Sequence, residues 1–221
     1  MARKKYTEDQ RDDILRSFVR AARQIIDEEG VEAISIRKLA AITGYNSAKL
    51  YFYFDSMEDL VAMACMSYLE KYGSVLVKDM PKLKSAKEFW LHSWKLFLHF
   101  AFENPEIYYH IFFAKREKSL QETMKEYFRL YPGQTEEMDE NLRNIFTTGS
   151  LIEREYIYLD AMAAEGEIDK KHVKYIVELT TSYFKFLLEQ KIAKKGGSLE
   201  SEEMIERFMG AVYMLLGMPE A

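Results

Sequence analysis

The sequence predicts an all-α protein in two parts: a three-helix helix-turn-helix unit over residues 1–56 and a longer helical bundle over 57–221. Three observations predict this. Apolar residues recur at spacings of three and four through most of the chain, and alternating β patterns are absent. Gly44 stands between two short helical stretches, where a residue without a Cβ can take the positive φ of a tight turn. Capping residues Ser35, Asn46 and Ser56 fall within about two dozen residues, a density that a helix-turn-helix needs and one long helix does not.

The elements follow in order. In 7–29, Ile14, Leu15, Phe18, Ala22, Ile25 and Ile26 form one apolar stripe, and Gly30 is placed to end the helix. Ser35 caps a short helix over 36–42, in which Leu39 faces the core and Ala40 lets a second helix cross closely. Asn46 caps the next helix, its side-chain oxygen placed to accept from an amide of the following turn. Leu50 and Phe54 fall four apart and pack inward, which leaves Tyr45, Ser47, Ala48 and Lys49 near the exposed helix start. Ser56 and Asp59 have the spacing of a weak capping box and open a long helix over 57–79, the mechanical link between the two parts. Pro81 breaks the chain. The helix over 86–103 is apolar nearly all round, with His92, Lys95 and His99 as a narrow polar stripe, the pattern of a helix buried in a bundle. Asn104 and Pro105 stop it and start a short helix over 105–114. A further helix ends at Pro132-Gly133, and the next segment spans 135–164 with a break expected near 147–150. Two amphipathic helices, 170–194 and 201–216, close the chain around a linker at 194–198.

The exposed start of the second short helix is the end that a recognition helix presents to base edges in the major groove. Residues 35–54 carry Arg37, Lys38 and Lys49 and no acid. The net charge of −5 does not argue against this, because the local field decides and the acids concentrate elsewhere, as at Asp27-Glu28-Glu29. Arg3-Lys4-Lys5 either adds phosphate contacts as an arm or is a solubilising terminus.

Ile14-Leu15, Ala21-Ala22, Gly30, Ser35-Ile36-Arg37, Leu39-Ala40, Gly44, Leu50-Tyr51, Tyr53-Phe54 and Glu58 to Leu60 stand in one ungapped order and spacing. That pattern resembles the DNA-binding domain of tetracycline-repressor-like (TetR family) transcription regulators, over roughly residues 10–62. There are departures. The family usually has a small aliphatic residue where Tyr45 stands, often Ser in place of Asn46, and commonly a phosphate-touching Lys in place of Met57. The resemblance implies that Tyr51 and Tyr53 hydrogen-bond phosphate oxygens. It places Ser35, Arg37, Tyr45, Asn46, Ser47, Ala48 and Lys49 with them at a palindromic double-stranded operator. It also implies a homodimer built on the last two helices, so that Val173, Ile176, Val177, Phe184, Phe208, Val212 and Leu216 are the expected interface.

Trp90, Trp94, Phe97, Tyr108, Phe112 and Tyr156 are candidates for a pocket, since cavities between bundle helices are mostly apolar. The same aromatic spacing also fits plain core. The family usually has such a pocket, and the aromatics point to a small hydrophobic effector.

The sequence lacks GxGxxG, P-loop, GxSxG and CxxC patterns, so no catalytic residue, metal or cofactor is expected and an enzyme is not the reading. His92 and His99 share a face two turns apart, too far to chelate one ion alone. Cys65 stands alone among apolar neighbours, as a core thiol in a reducing cytoplasm. No membrane span is expected. The reading is a cytoplasmic, ligand-responsive regulator: a repressor released from its operator by a small molecule. The rival is a helical interaction module that has lost its operator, favoured by Met57 and the acidic balance.

Overall fold

The computed structural model describes residues 6–132, 150–193 and 200–218. Among these, the regular elements are ten α-helices and short 3-10 turns, with no strand. They are α1 (Glu8–Glu29), α2 (Ile36–Thr43), α3 (Ser47–Tyr53), α4 (Met57–Asp79), α5 (Ala86–Glu103), α6 (Pro105–Phe112), α7 (Leu120–Leu130), α8 (Leu151–Ala164), α9 (Val173–Ala193) and α10 (Ser201–Leu215). The expectations for 1–5, 135–149 and the 194–198 linker lie outside the described residues.

The boundaries follow the capping residues. Thr7 and Gln10 form a reciprocal capping box at the start of α1. Ser56, Ser85, Ser119 and Ser150 accept from the third amide of α4, α5, α7 and α8. Gly30 ends α1 at φ 91° and Gly44 ends α2 at φ 72°, backbone states that a side chain resists.

Packing places α4 at the centre. It lies against α1 on one side and α5, α6 and α7 on the others. Its buried residues include Asp59, Leu60, Met63, Ala64, Cys65, Leu69, Tyr72 and Leu76, which cover more than one face. By length and apolarity the stretch Met57–Lys82 could cross a bilayer, which corrects the expectation that no run approaches that. Here, 67% of its most apolar window is buried among the other helices. Burial pushes the Cys65 thiol up to about 12, which leaves it inert. One continuous set of buried side chains runs from Ile14 in α1 to Val212 in α10. Each large apolar side chain so enclosed contributes roughly 1.5–3 kcal/mol.

Packing places the residues expected at the interface inside the chain. Val173, Ile176, Val177, Phe184, Phe208 and Val212 are buried within a single chain, and Leu216 is half-buried. These residues point at α5, α6 and α8 and form the chain's own core. Periodicity finds an apolar stripe, but it does not say whether the stripe meets the same chain or another copy. The outward face carries Tyr175 (62% exposed), Leu179 (52%) and Phe186 (48%) on α9 and Met214 (72%) on α10.

Phe208→Glu is therefore expected to unfold the chain rather than to release a folded monomer. Phe208 is fully buried, tilted against Trp94 at 4.6 Å and stacked on Tyr183 at 5.9 Å. A lone charge there costs several kcal/mol. Loss of helical circular dichroism at 25 °C checks this; a folded, soluble monomer would contradict it.

Candidate nucleic-acid interface and interior cavity

The turn between α2 and α3 is built from three local devices. Gly44 takes the left-handed state and its amide donates to the Ala40 carbonyl at 2.9 Å. The Tyr45 amide donates to the Thr43 hydroxyl at 3.2 Å. Asn46 Oδ1 accepts from the Lys49 amide at 2.9 Å and fixes the direction of α3. Leu39, Leu50 and Phe54 are buried and tie both short helices to α1, where Phe54 meets Phe18 edge-on.

These anchors decide what faces solvent. Arg37, Asn46, Ser47, Ala48 and Tyr51 are exposed. Ser35 is half-buried as the cap of α2, its hydroxyl accepting from the Lys38 amide. Tyr45 and Tyr53 are half-buried, Tyr45 lying on Phe18 with ring centres 5.6 Å apart. Lys49 is half-buried too. Its ammonium sits 3.8 Å from the centre of the Tyr6 ring, with Tyr53 at 5.5 Å and Tyr45 at 5.8 Å. The Tyr53 hydroxyl is enclosed without a hydrogen-bond partner. Phe52 is exposed at the C-terminal end of α3, and neither it nor Tyr6 stands out in the sequence. Lys38 is paired with Glu29 at 2.6 Å, so part of the basic stretch is neutralised locally.

The six aromatic candidates do not surround one cavity. Trp90, Trp94, Phe97 and Tyr108 are buried, and Phe112 and Tyr156 half-buried. Phe97 meets Tyr108 at 5.3 Å, Phe112 at 5.6 Å and Trp94 at 5.7 Å, an interlocked cluster. Only about 10 Å3 remains beside Trp94 and Phe97. A roomier space nearby is an open groove of about 510 Å3 lined by Phe112, Phe113, Leu120, Leu151, Thr181 and Lys185 among others. Of the six candidates, Phe112 alone lines it.

Two charged residues on α8 matter here and escape periodicity. Glu155 Oε2 accepts from the indole N–H of both Trp90, at 2.7 Å, and Trp94, at 2.8 Å. Burial pushes its carboxyl up to about 7, and the two indoles and Arg154 oppose that rise. Arg154 is buried beside it, its guanidinium over the Phe112 ring at 5.2 Å and the Phe97 ring at 5.8 Å. The sequence signal is charge at positions where Leu151, Leu159 and Met162 mark the inner face of a helix.

A short connection joins the groove to α3 and α4. Buried Asp59, in the first turn of α4, accepts from the Ser56 hydroxyl at 2.7 Å and from the Lys118 amide at 3.1 Å. The Lys118 ammonium reaches Asp55 at 3.4 Å. The same loop, between α6 and α7, supplies Arg116 and Ser119 to the groove wall.

A capped helix-turn-helix on a helical body is the architecture of a DNA-binding regulator. Residues 18–64 match the family described as bacterial regulatory proteins, tetR family. No curated protein matches the sequence. Solved structures share the fold. RolR bound to resorcinol is 13% identical over 97% of this chain and 92% of that one, with a TM-score of 0.63. RolR without ligand is 15% identical over 92% and 90%, at 0.58. A structure from Syntrophomonas wolfei str. Goettingen, described as a TetR-family transcriptional regulator, is 16% identical over 94% and 97%, at 0.59. The helix-turn-helix thus matches the model of the tetR family of bacterial regulatory proteins, and nearly the whole chain shares the fold of these solved structures.

The Glu155 carboxyl has a measurable consequence. Its folded-state value lies above the ordinary 4.5, so the folded protein binds the extra proton. Its contribution to stability is therefore full below pH 4.5 and is lost as the pH rises through about 7. Glu155→Gln keeps the shape and removes the titration. Urea unfolding of both proteins from pH 5 to 8 should show the variant gaining on wild type by on the order of 2–3 kcal/mol toward pH 8. A difference that stays constant with pH would refute the assignment.

Proposed function

We propose that this chain is a homodimeric repressor that binds a palindromic operator through α2 and α3 and leaves it when a small molecule occupies the helical body. One observation carries the DNA reading: the start of α3, held by the Asn46 cap, presents Ser47, Ala48 and the neighbouring Tyr51 to solvent with no acid from 35 to 54. That geometry suits insertion into a major groove. Ser35, Arg37, Tyr45 and Lys49 flank it, and Tyr53 lies behind Lys49. The domain division at residue 56 belongs to this reading, with the body from 57 onward as the effector and dimerisation part.

The interface between copies is assigned to the outward face of α9 and α10. Tyr175, Leu179 and Phe186 recur at four and seven, one stripe of large apolar side chains in water. Met214 and the small pair Gly210-Ala211 on α10 extend it. Two-fold pairing through this face would bring two recognition helices to half-sites about one helical turn apart or a multiple of it.

The effector reading rests on the groove of about 510 Å3 and its connection to α4. The neighbour RolR is known bound to resorcinol, an aromatic molecule, which supports a ring-bearing effector here. An effector that weakens DNA binding must fit the DNA-free arrangement better, and operator must weaken effector binding by the same factor.

Two experiments test this reading. A salt-dependent gel shift with the chain's own upstream DNA should give a specific complex, and its absence at low salt would favour the module without an operator. In that assay, Lys49→Ala should cost ~1–3 kcal/mol if the ammonium leaves Tyr6 for a base edge. If it meets phosphate, the loss is uniform across sequences and the salt slope falls by about one. The interface is checked by Leu179→Glu with Phe186→Glu, which should give a folded monomer by sedimentation. Wild-type protein that sediments as a monomer at micromolar concentration would sink the dimer.

A further inference from the structure

Arg154 is 5% exposed, and among the described residues it has no hydrogen-bond or ion-pair partner. Burying an unpaired ion is strongly unfavourable, and two aromatic faces offset only part of that. Glu155, next in sequence and on the same cavity, is the nearby opposite charge, but no ion pair within 4 Å joins the two, and its Oε2 is held by both indoles. The guanidinium instead lines the small cavity with Tyr72, Ser93, Trp94, Leu151 and Glu155.

That cavity adjoins the open groove. Leu151 lines both, and Phe112, on whose ring Arg154 lies, forms part of the groove wall. The described lining of the groove is amphipathic, and Lys185 in it also pairs with Glu189 at 3.7 Å. Phe112 and Phe113 give it flat apolar walls, and Arg116 and Lys185 give it two cations. Among the described lining residues the one carboxylate is Glu153, which is committed to the cap of α8, where it accepts from the Ser150 amide at 3.2 Å.

We propose that the groove and the Arg154 cavity form one binding site for an aromatic carboxylate, whose carboxylate pairs with the Arg154 guanidinium while its ring lies against Phe112. The planar guanidinium matches a planar carboxylate through two parallel N–H···O bonds, which a neutral ring cannot supply. Movement of the Phe112 and Leu151 side chains opens the way from groove to cavity. This names the chemical class of the effector and rests on the effector reading only for its consequence on DNA binding.

The test titrates the full chain with benzoate and naphthoate, and with benzamide and naphthamide as neutral matches. Trp90 and Trp94, the two tryptophans of the chain, report binding by fluorescence, and calorimetry gives the affinity. At least one acid should bind and its amide should not. Arg154→Met should weaken the acid on the order of 30-fold or more. Its melting temperature should hold or rise, because the buried unpaired charge is gone. Arg154→Lys keeps charge without the planar fork and should fall between. Equal binding of acid and amide, wild-type binding by Arg154→Met, or no acid binding at millimolar concentration would each overturn the proposal. These measurements contain no DNA. An acid that binds but leaves the operator complex intact therefore refutes the effector reading and spares the site. Release by a neutral compound that is unchanged in Arg154→Met does the reverse.

Discussion

The enclosure of α4 on nearly every side is the constraint on which the rest of the structure depends. Most helices here have a wet face that tolerates small shifts. A helix buried against α1, α5, α6 and α7 has few, because interiors are close-packed and respond to displacement as a body. Polar contacts fix its position along its length. Asp59 holds its start to the loop before α7, Tyr68 donates to Asp27 of α1, and the Tyr127 hydroxyl donates to Glu70 at 3.0 Å. Near its end, Asp79 meets His92 of α5 at 3.0 Å.

A second tie bypasses α4. Arg129 of α7 makes a two-pronged ion pair with Asp12 of α1, at 2.7 and 2.8 Å, and Arg16 donates to the Leu130 carbonyl at 3.1 Å. Arg23 reaches the Tyr127 hydroxyl at 3.2 Å. Exposed ion pairs contribute little to stability as a rule. The geometry of these has a different value: it sets the angle at which α1, and with it α2 and α3, is carried by the body. Helices α4 and α7 together therefore hold the helix-turn-helix part to the body at two separated points.

The fold was legible because its punctuation is local. Ser35, Asn46, Ser56 and Ser85 cap amides three residues on, and Gly30, Gly44 and Pro105 act on their own backbone, so sequence neighbours carry the information. The exposed start of α3 was legible for the same reason. What a buried stripe meets is not local. Phe184 and Phe208 have the spacing of an interface and the surroundings of a core, and only tertiary packing tells them apart. Arg154 and Glu155 were hidden by a related limit: charge is read as surface, and their burial depends on Trp90, Trp94 and Phe112, which lie more than forty or sixty positions away in the chain. Lys49 shows the same limit at the start of α3, where Tyr6, from before the first helix, covers its ammonium.

The groove and the DNA-reading helices share one piece of chain, the loop that runs from Phe113 to Ser119. Arg116 and Ser119 face the groove, while Lys118 between them holds Asp59 and Asp55. Close neighbours in one short segment thus see opposite sides. Asp59 is 2% exposed and accepts two hydrogen bonds, so pulling Lys118 away leaves a buried carboxylate short of a donor. That penalty ties the loop to the start of α4. A molecule in the groove shifts a balance between two arrangements only by the difference between its affinities for them, and a tight but indifferent ligand shifts nothing. Under the proposed effector reading, what matters is therefore less how well the groove is filled than whether filling it requires Arg116 and Ser119 to move.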